Sequence, residues 1–265
     1  MSEGPPGPSN LPPPPPGPAA PVRPKVFSSD TVTVSYDHDA SRWGVPDFLV
    51  TAALFVAASI GALFLVRAIT GASGVPTGPG LLAVVAIPPI AELLYVIWVG
   101  RAKGQGLADD FRLRYRSGDL GLGANLFGLA IVGAVAIVAV WSAFGMPPSA
   151  AATDLAQDSS DSVTIWIVFF AIVGATLIPL IEEVVFRGLF WSALEKRGHG
   201  PMFVWIVSSA IFSLFHLEPA RIPILFVIGL VIGLGRLRTG RIGASIVAHM
   251  MINSLAMVGL LAELA

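Results

Sequence analysis

The chain has 265 residues, of which 54% are hydrophobic and only 12% are charged, and its formal net charge is −1. Soluble domains carry about twice that share of charged residues, so the composition indicates an integral membrane protein, and we expect no nucleic-acid partner. The absence of cysteine excludes disulfides, thiolate metal ligands and a cysteine nucleophile.

The N-terminal segment differs in composition from the rest of the chain. Proline dominates the stretch between Pro5 and Pro24, including the run Pro12–Pro16. Such a segment favours extended polyproline II and has little to bury. We therefore expect a disordered, Pro-rich cytoplasmic tail at 1–45 and a transmembrane helical domain at 46–265. A partner with an aromatic groove could bind the proline run, although compositional bias more often marks a tail without a partner.

Seven apolar runs follow the tail, separated by breaks that contain glycine, proline or charged residues. A membrane span needs about 20 residues, so the runs predict an all-α, polytopic bundle of about seven transmembrane helices. The fifth and sixth runs are short, and the fourth is long. The predicted spans are approximately 47–69, 80–100, 124–146, 163–194, 201–217, 221–237 and 242–264.

Residues 101–123 form the one sizeable polar connection between these runs. Leu107, Phe111 and Tyr115 recur at helical spacing beside several arginines, which is typical of an amphipathic turn at the membrane surface. A solvated loop is an equally good interpretation of this segment.

The basic residues predict the orientation in the membrane. Thirteen of the sixteen lie in the tail or in the connections that follow spans two, four and six. Only Arg67 and Arg221 lie on the other side, and Arg187 is inside a span. Because basic residues concentrate in cytoplasmic loops, we expect a cytoplasmic N-terminus and an outer C-terminus, with the plasma membrane as the location.

The fourth predicted span contains three charged residues, Glu182, Glu183 and Arg187. Ionisable groups at membrane depth are costly and indicate a functional site by default, although a Glu–Arg pair alone is often only a clamp between helices. Glu183 and Arg187 are four residues apart and share a helix face, which predicts an internal ion pair. Glu182 points about 100° away from Glu183 and is left to act as a general base.

Two later spans carry His216, His249 and Asn253. Glu182 lies 17 residues before the turn near His199 and His216 lies 17 residues after it, so antiparallel helices bring them to one depth. His249 and Asn253 are four residues apart and can together donate to an oxyanion. A lone intramembrane histidine is more often a packing residue. Polar residues at one level in three spans instead predict one shared site, which we expect to open toward the cytoplasm.

Glu92, beside Pro88 and Pro89 in the second predicted span, is a further intramembrane acid. It has no partner at helical spacing on its own helix. A direct role of Glu92 in the site is therefore only a minor hypothesis.

Three motifs occur in order along the chain, namely Glu-Glu-x-x-x-Arg at 182–187, Phe-x-x-x-His at 212–216 and His-x-x-x-Asn at 249–253. Together they resemble the signature of the CAAX prenyl endopeptidase and bacteriocin-processing family of intramembrane proteases, which includes a lysostaphin-resistance branch. The resemblance covers about 120–260. The proline tail, the basic connection and seven rather than eight apparent spans depart from the family pattern.

The resemblance implies an endopeptidase that acts in the membrane on a peptide or a lipidated-protein substrate. Glu182 and His216 would activate water, His249 and Asn253 would bind the oxyanion, and the internal ion pair would support the site. Two alternatives stay open. The first is a catalytically silent scaffold or bacteriocin-immunity protein. The second, with less support, is a proton-coupled transporter, which would usually show internal repeats or paired broken helices.

Other hydrolytic mechanisms fit the chain less well. No His-Glu-x-x-His motif occurs. Gly71-Ala72-Ser73-Gly74 matches a serine-type protease string, but it lies in a Gly- and Pro-rich connection on the side opposite to the predicted site opening. Glu182, His216 and His249 would be a reasonable zinc donor set, so the residues leave metal-activated and glutamate-activated water both open. We favour glutamate, without a cofactor.

Overall fold

The computed structural model describes residues 41–71, 73–144 and 162–265, and these ranges form helices and connections without a strand. Six of the helices are long and apolar enough to cross a membrane. The prediction of an all-α, polytopic membrane bundle is therefore confirmed. Most of the predicted tail, residues 1–40, lies outside the described residues.

The seven predicted spans correspond in order to seven helices, and one further short helix lies in the polar connection. The helices are α1 (Val45–Thr70), α2 (Gly78–Lys103), α3 (Leu107–Asp110), α4 (Gly118–Ala143), α5 (Ile165–Lys196), α6 (Pro201–Phe215), α7 (Ile222–Thr239) and α8 (Gly243–Glu263).

α6 is the predicted span that is too short to cross the bilayer as a regular helix. Its 15 residues extend about 22 Å, whereas the hydrocarbon core is about 30 Å thick. Glu218 and Pro219 follow the helix, and the conformation required before a proline disfavours continuation of the helix. A 3₁₀ turn at Pro219–Arg221 then leads into α7. Within the described residues the apolar helices thus comprise six long ones and the short α6.

α5 lies at the centre of the bundle and contacts α1, α2, α6 and α8. Two wider π-helical turns interrupt it, at Val173–Leu177 and Glu183–Phe190. Pro179 lacks the N–H that a regular helix would donate to Ala175, which favours the first of these turns. Such π-turns occur frequently at functional sites, and the second one contains two of the predicted site residues.

The connections rich in basic residues meet at one end of the bundle, which we call the basic end; it comprises the start of α1 and the ends of α2, α5 and α7. Lys196 Nζ donates to the carbonyls of Ser41 and Trp43, each over 2.8 Å. Arg241 forms a 2.7 Å ion pair with Asp119 at the start of α4. The segments that were predicted to share one side of the membrane therefore contact one another.

The last residues of the predicted tail pack against the polar connection. Trp43 is 3% exposed and meets the ring of Phe111 edge-on, with 4.9 Å between centroids. Ser41 donates to Asp110 over 2.8 Å. Phe111 is fully buried whereas Tyr115 is exposed, so these two residues do not share one face of an amphipathic helix. The connection contains one helical turn, α3, and is otherwise an irregular segment packed against the bundle.

Candidate active site

The Glu183–Arg187 ion pair anchors the centre of the bundle. Arg187 Nη1 donates to Glu183 Oε1 over 3.0 Å, and neither side chain is exposed. Arg187 Nη2 donates to the carbonyl of Gly229 on α7 over 2.9 Å. A Cβ at Gly229 would lie 3.2 Å from the ring of Phe212 and 3.3 Å from Ser209 Cβ, so glycine lets α6 and α7 approach each other closely. The pairing predicted from the four-residue spacing is present, and it also ties α5 to α7.

His249 on α8 lies between the two glutamates. Its Nδ1 is 2.9 Å from Glu183 Oε1, and because a carboxylate only accepts, Nδ1–H is the donor. Its Nε2 is then directed at Glu182, with 3.5 Å to Oε2. That separation is longer than a strong N–H···O hydrogen bond, so Glu182 retains capacity to accept from another group.

The two adjacent glutamates have different environments. The side chain of Glu182 is 22% exposed, whereas that of Glu183 is fully buried. Glu183 Oε1 accepts from both Arg187 and His249. Glu183 is therefore occupied in holding its neighbours, and Glu182 is the carboxylate that a water molecule or a substrate could reach.

His216 is connected to this cluster through an aromatic ring. Its Nδ1 is 2.9 Å from the carbonyl of Phe212 one turn earlier, which makes Nδ1–H the donor and leaves Nε2 as an acceptor. The ring of Phe212 lies 4.9 Å from the ring of His216 and 5.6 Å from that of His249. In the described part of the chain His216 makes no ion-pair contact with an acidic side chain, so its link to Glu182 is indirect.

Asn253 lies one helical turn beyond His249 on α8. Its Nδ2 donates to the carbonyl of Gly174 over 3.1 Å, and the residue is half-buried. Gly174 lies in the first π-turn of α5. This bond uses one of the two amide N–H groups of Asn253 and leaves the second available.

Glu92 belongs to the same region, although the sequence provided only a weak signal for it. Its side chain is buried, with 5% of the residue exposed, and it interacts electrostatically with Glu182 across the contact between α2 and α5. No hydrogen bond or ion pair to Glu92 occurs within the described residues. A pattern on α2 alone could not reveal this proximity, because the partner helix lies about 90 residues away.

The suggested zinc donors do not form a metal site in this arrangement. Among residues 41–71, 73–144 and 162–265, no group of three or more His, Cys, Asp or Glu side chains is placed to hold a metal ion. Glu182 and His249 are close together, whereas His216 contacts the ring of Phe212, which also contacts His249.

The serine-protease-like motif Gly71–Gly74 in the α1–α2 connection lies away from the cluster of glutamates and histidines. Ala72 is outside the described residues, and Ser73 is exposed at the end of the bundle opposite to the basic end. The carbonyl of Ser73 accepts a 3.5 Å hydrogen bond from Arg67. The string therefore has no connection to the histidines.

The arrangement suits hydrolysis by general-base catalysis. Glu182 is an accessible carboxylate next to an imidazole whose orientation a second carboxylate fixes. Asn253 offers an amide donor one turn along α8. Donors that are positioned before reaction in a water-poor site can stabilise a developing oxyanion strongly.

Comparison with known proteins identifies relatives of this helical region. Residues 164–255 match the family model described as type II CAAX prenyl endopeptidase Rce1-like. "Putative membrane peptidase YdiL" of Bacillus subtilis (strain 168) is 27% identical over 133 residues, which is 50% of this chain and 51% of that protein. "Membrane-embedded CAAX protease MroQ" of Staphylococcus aureus (strain USA300) is 33% identical over 101 residues, 36% of this chain and 39% of that protein.

The chain thus spans about half the length, or less, of the curated relatives that it matches. No solved structure is significantly similar to it. The matched region begins at α5 and ends within α8, so it contains the three motifs and all of the residues of the candidate site except Glu92. The protein is therefore an integral membrane protein whose residues 164–255 are similar to the type II CAAX prenyl endopeptidase Rce1-like family.

Proposed function

We propose that the protein is an intramembrane endopeptidase that hydrolyses a peptide bond close to the membrane anchor of its substrate. The observation that carries the proposal is the contact between the accessible Glu182 and His249, whose other ring nitrogen is held by the buried Glu183. The similarity of residues 164–255 to type II CAAX prenyl endopeptidases supports the same reaction.

Glu182 is the proposed general base. It would take a proton from a water molecule as the water oxygen attacks the scissile carbonyl, and it would then give that proton to the leaving amine. Nε2 of His216 faces away from the Phe212 carbonyl and is the second group proposed to orient this water. Because His216 makes no ion pair with Glu182, its role requires a bridging water or a movement that brings the two side chains together.

His249 and Asn253 are the proposed donors to the oxyanion. Because Nδ1–H of His249 is engaged with Glu183, donation from Nε2 requires an imidazole that is protonated on both nitrogens. The carboxylates of Glu182 and Glu183 lie on either side of this ring. Asn253 would donate through the amide N–H that does not contact Gly174.

The proposed substrate is a hydrophobic or lipid-anchored peptide. A site that lies in the middle of a helical bundle is reached most directly by a peptide that is already in or on the membrane. We favour maturation of a small hydrophobic peptide over processing of a prenylated protein as the natural reaction. A prenyl-linked peptide and an unmodified hydrophobic leader are the two probes that distinguish these classes.

Glutamate rather than zinc is the proposed activator of water, because the histidines and Glu182 do not group as metal donors within the described residues. A strong zinc chelator should leave cleavage by the purified protein unchanged. Loss of cleavage that zinc alone restores would replace this proposal with a metal mechanism.

We also propose that the basic end faces the cytoplasm and that the protein resides in the plasma membrane. Lys196 contacts the segment before α1, Arg236 pairs with Glu195 at the end of α5, and Arg241 pairs with Asp119 at the start of α4. This gathering of basic residues at one end of the bundle supports the orientation. Residues 1–40 would then be a cytoplasmic extension, and a domain that recognises polyproline is the kind of partner that it could bind.

The test is a comparison of membrane peptides from cells that produce the wild-type protein or the Glu182→Gln variant. The amide is nearly isosteric but cannot act as a base. We expect an unprocessed precursor to accumulate with the variant at normal protein levels, while the matched control Glu263→Gln at the end of α8 behaves like the wild type. Identical peptide profiles for all three proteins would instead indicate a silent scaffold.

A further inference from the structure

The connection between α6 and α7 does not reach the end of the bundle opposite to the basic end. It lies well inside the bundle instead. Phe215, the last residue of α6, packs against both Phe48 and Phe55 of α1, with ring centroids 6.2 and 6.4 Å apart. α1 continues for 15 residues beyond Phe55, to Thr70, which is about 22 Å. The end of α6 is therefore level with the part of α1 that is nearer to the basic end.

The contact between α5 and α7 gives an independent measure of the same depth. Arg187 is level with Gly229, because they share a hydrogen bond. From Gly229, α7 extends seven residues to its start at Ile222, about 10 Å, whereas α5 extends 22 residues to its start at Ile165, about 30 Å. The α6–α7 connection thus ends about 20 Å below the start of α5, in agreement with the first measure.

This deeply placed connection is irregular and polar. Leu217 has a left-handed backbone conformation, with φ of 54°, and is 83% exposed. Glu218 and Arg221 form a 2.9 Å ion pair in which each side chain keeps about a quarter of its surface exposed. Non-helical backbone at membrane depth is tolerated only where protein buries it or where it lines a water-filled cavity. The exposed fractions of Leu217, Glu218 and Arg221 show that the described residues do not bury the connection completely.

We propose that an aqueous recess enters the bundle from the end opposite to the basic end, reaches the Leu217–Arg221 connection and stops at His216. His216 is the first residue after α6, and the ring of Phe212 contacts both His216 and His249. Water in the recess therefore arrives beside the candidate site. The direction is opposite to the access from the basic end that the sequence suggested.

The proposal does not rest on the protease activity, because it concerns solvent access alone. The chain contains no cysteine, so single cysteines can be introduced without altering a native thiol. Ala220→Cys places a thiol in the exposed connection, and Ala57→Cys is the matched control. Ala57 is also exposed, but it lies two residues beyond Phe55, on the opposite face of α1, where we expect lipid as its neighbour.

The measurement is reaction with a membrane-impermeant maleimide added to one side of sealed vesicles. Ser73→Cys, in the exposed α1–α2 connection, identifies the side opposite to the basic end whichever way the protein is inserted. We expect Ala220→Cys to react from that same side at least tenfold faster than Ala57→Cys. Both thiols should react fully after denaturation, which shows that they are present. Protection of Ala220→Cys equal to that of Ala57→Cys, or reaction only from the basic end, would overturn the proposal.

Glu218→Gln provides a second measurement that does not depend on a reagent. A hydrated ion pair contributes little, so the melting temperature in lipid nanodiscs should fall by at most about 4 °C. If lipid surrounded the pair, the variant would leave the charge of Arg221 uncompensated, and the melting temperature would fall by about 10 °C or more. A fall of that size would contradict the recess.

Discussion

Nδ1 of His249 donates to Oε1 of Glu183 over 2.9 Å, across 66 residues of chain. The same oxygen accepts from Arg187, so a buried ion pair within α5 sets the orientation of a ring on α8. Nε2 of His249 is thereby directed at the accessible Glu182. Glu183 thus holds the imidazole, and Glu182 is the carboxylate that we propose as the base.

Arg187→Met should destabilise the protein strongly, because it leaves the carboxylate of Glu183 buried without its cation. Removing one member of a buried ion pair costs about 3–5 kcal/mol. The double variant Glu183→Gln/Arg187→Met should recover part of this loss, since glutamine is neutral and still accepts from His249. Unfolding in a mild detergent measures both effects. A double variant that is less stable than the single one would show that the pair is not the source of the effect.

Asn253→Ala should lower the cleavage rate about 10²- to 10³-fold, the usual cost of removing one oxyanion donor. Its hydrogen bond to Gly174 is a neutral one, so the stability should fall by only about 1 kcal/mol. Asn125→Ala, at an exposed amide on α4, is the matched control and should retain full activity. If both variants were equally active, Asn253 would be a packing residue and not an oxyanion donor.

Glu92→Leu should stabilise the protein by about 1–3 kcal/mol. Glu92 is only 5% exposed and makes no hydrogen bond or ion pair in the described part of the chain, and removing a carboxyl from water without such a partner carries about this cost. Glu92→Gln, which keeps the polar group but cannot repel Glu182, should give a smaller gain. Thermal unfolding of the three proteins checks the order. A loss of stability in Glu92→Leu would mean that Glu92 has a partner whose removal is costly.

The orientation can be tested with two serine-to-cysteine changes in this cysteine-free chain. Ser117 precedes α4 at the basic end, Ser73 lies at the other end, and both are exposed. An impermeant thiol reagent added to intact cells should label Ser73→Cys and leave Ser117→Cys unlabelled. The reverse pattern would place the basic end outside.

Local spacing was enough to predict the helices and the pairing of Glu183 with Arg187, because a run length and a four-residue separation directly determine these features. The contact of His249 with Glu183 could not be predicted, since it depends on the angle at which α8 packs on α5 and on the π-turns of α5. For the same reason the contacts of the Phe212 ring with both His216 and His249 could not be predicted.

The depth of the α6–α7 connection illustrates the same limit. The fifth run was recognised as short, but only the packing of Phe215 on α1 shows where the short helix ends in the bundle. Likewise the burial of Trp43 against Phe111 depends on a contact between two segments whose compositions predicted no packing. Long-range contacts of this kind leave no periodic signal in a single sequence.

The central claim is that Glu182 acts as the base in peptide-bond hydrolysis. The most direct measurement compares cleavage of an accumulated precursor by purified wild-type protein and by Glu182→Gln, each reconstituted in lipid vesicles. We expect wild-type protein to cleave the precursor and Glu182→Gln to lose at least 10²-fold in rate, with stability unchanged to within about 1 kcal/mol. Equal cleavage by the two proteins would contradict the proposed mechanism.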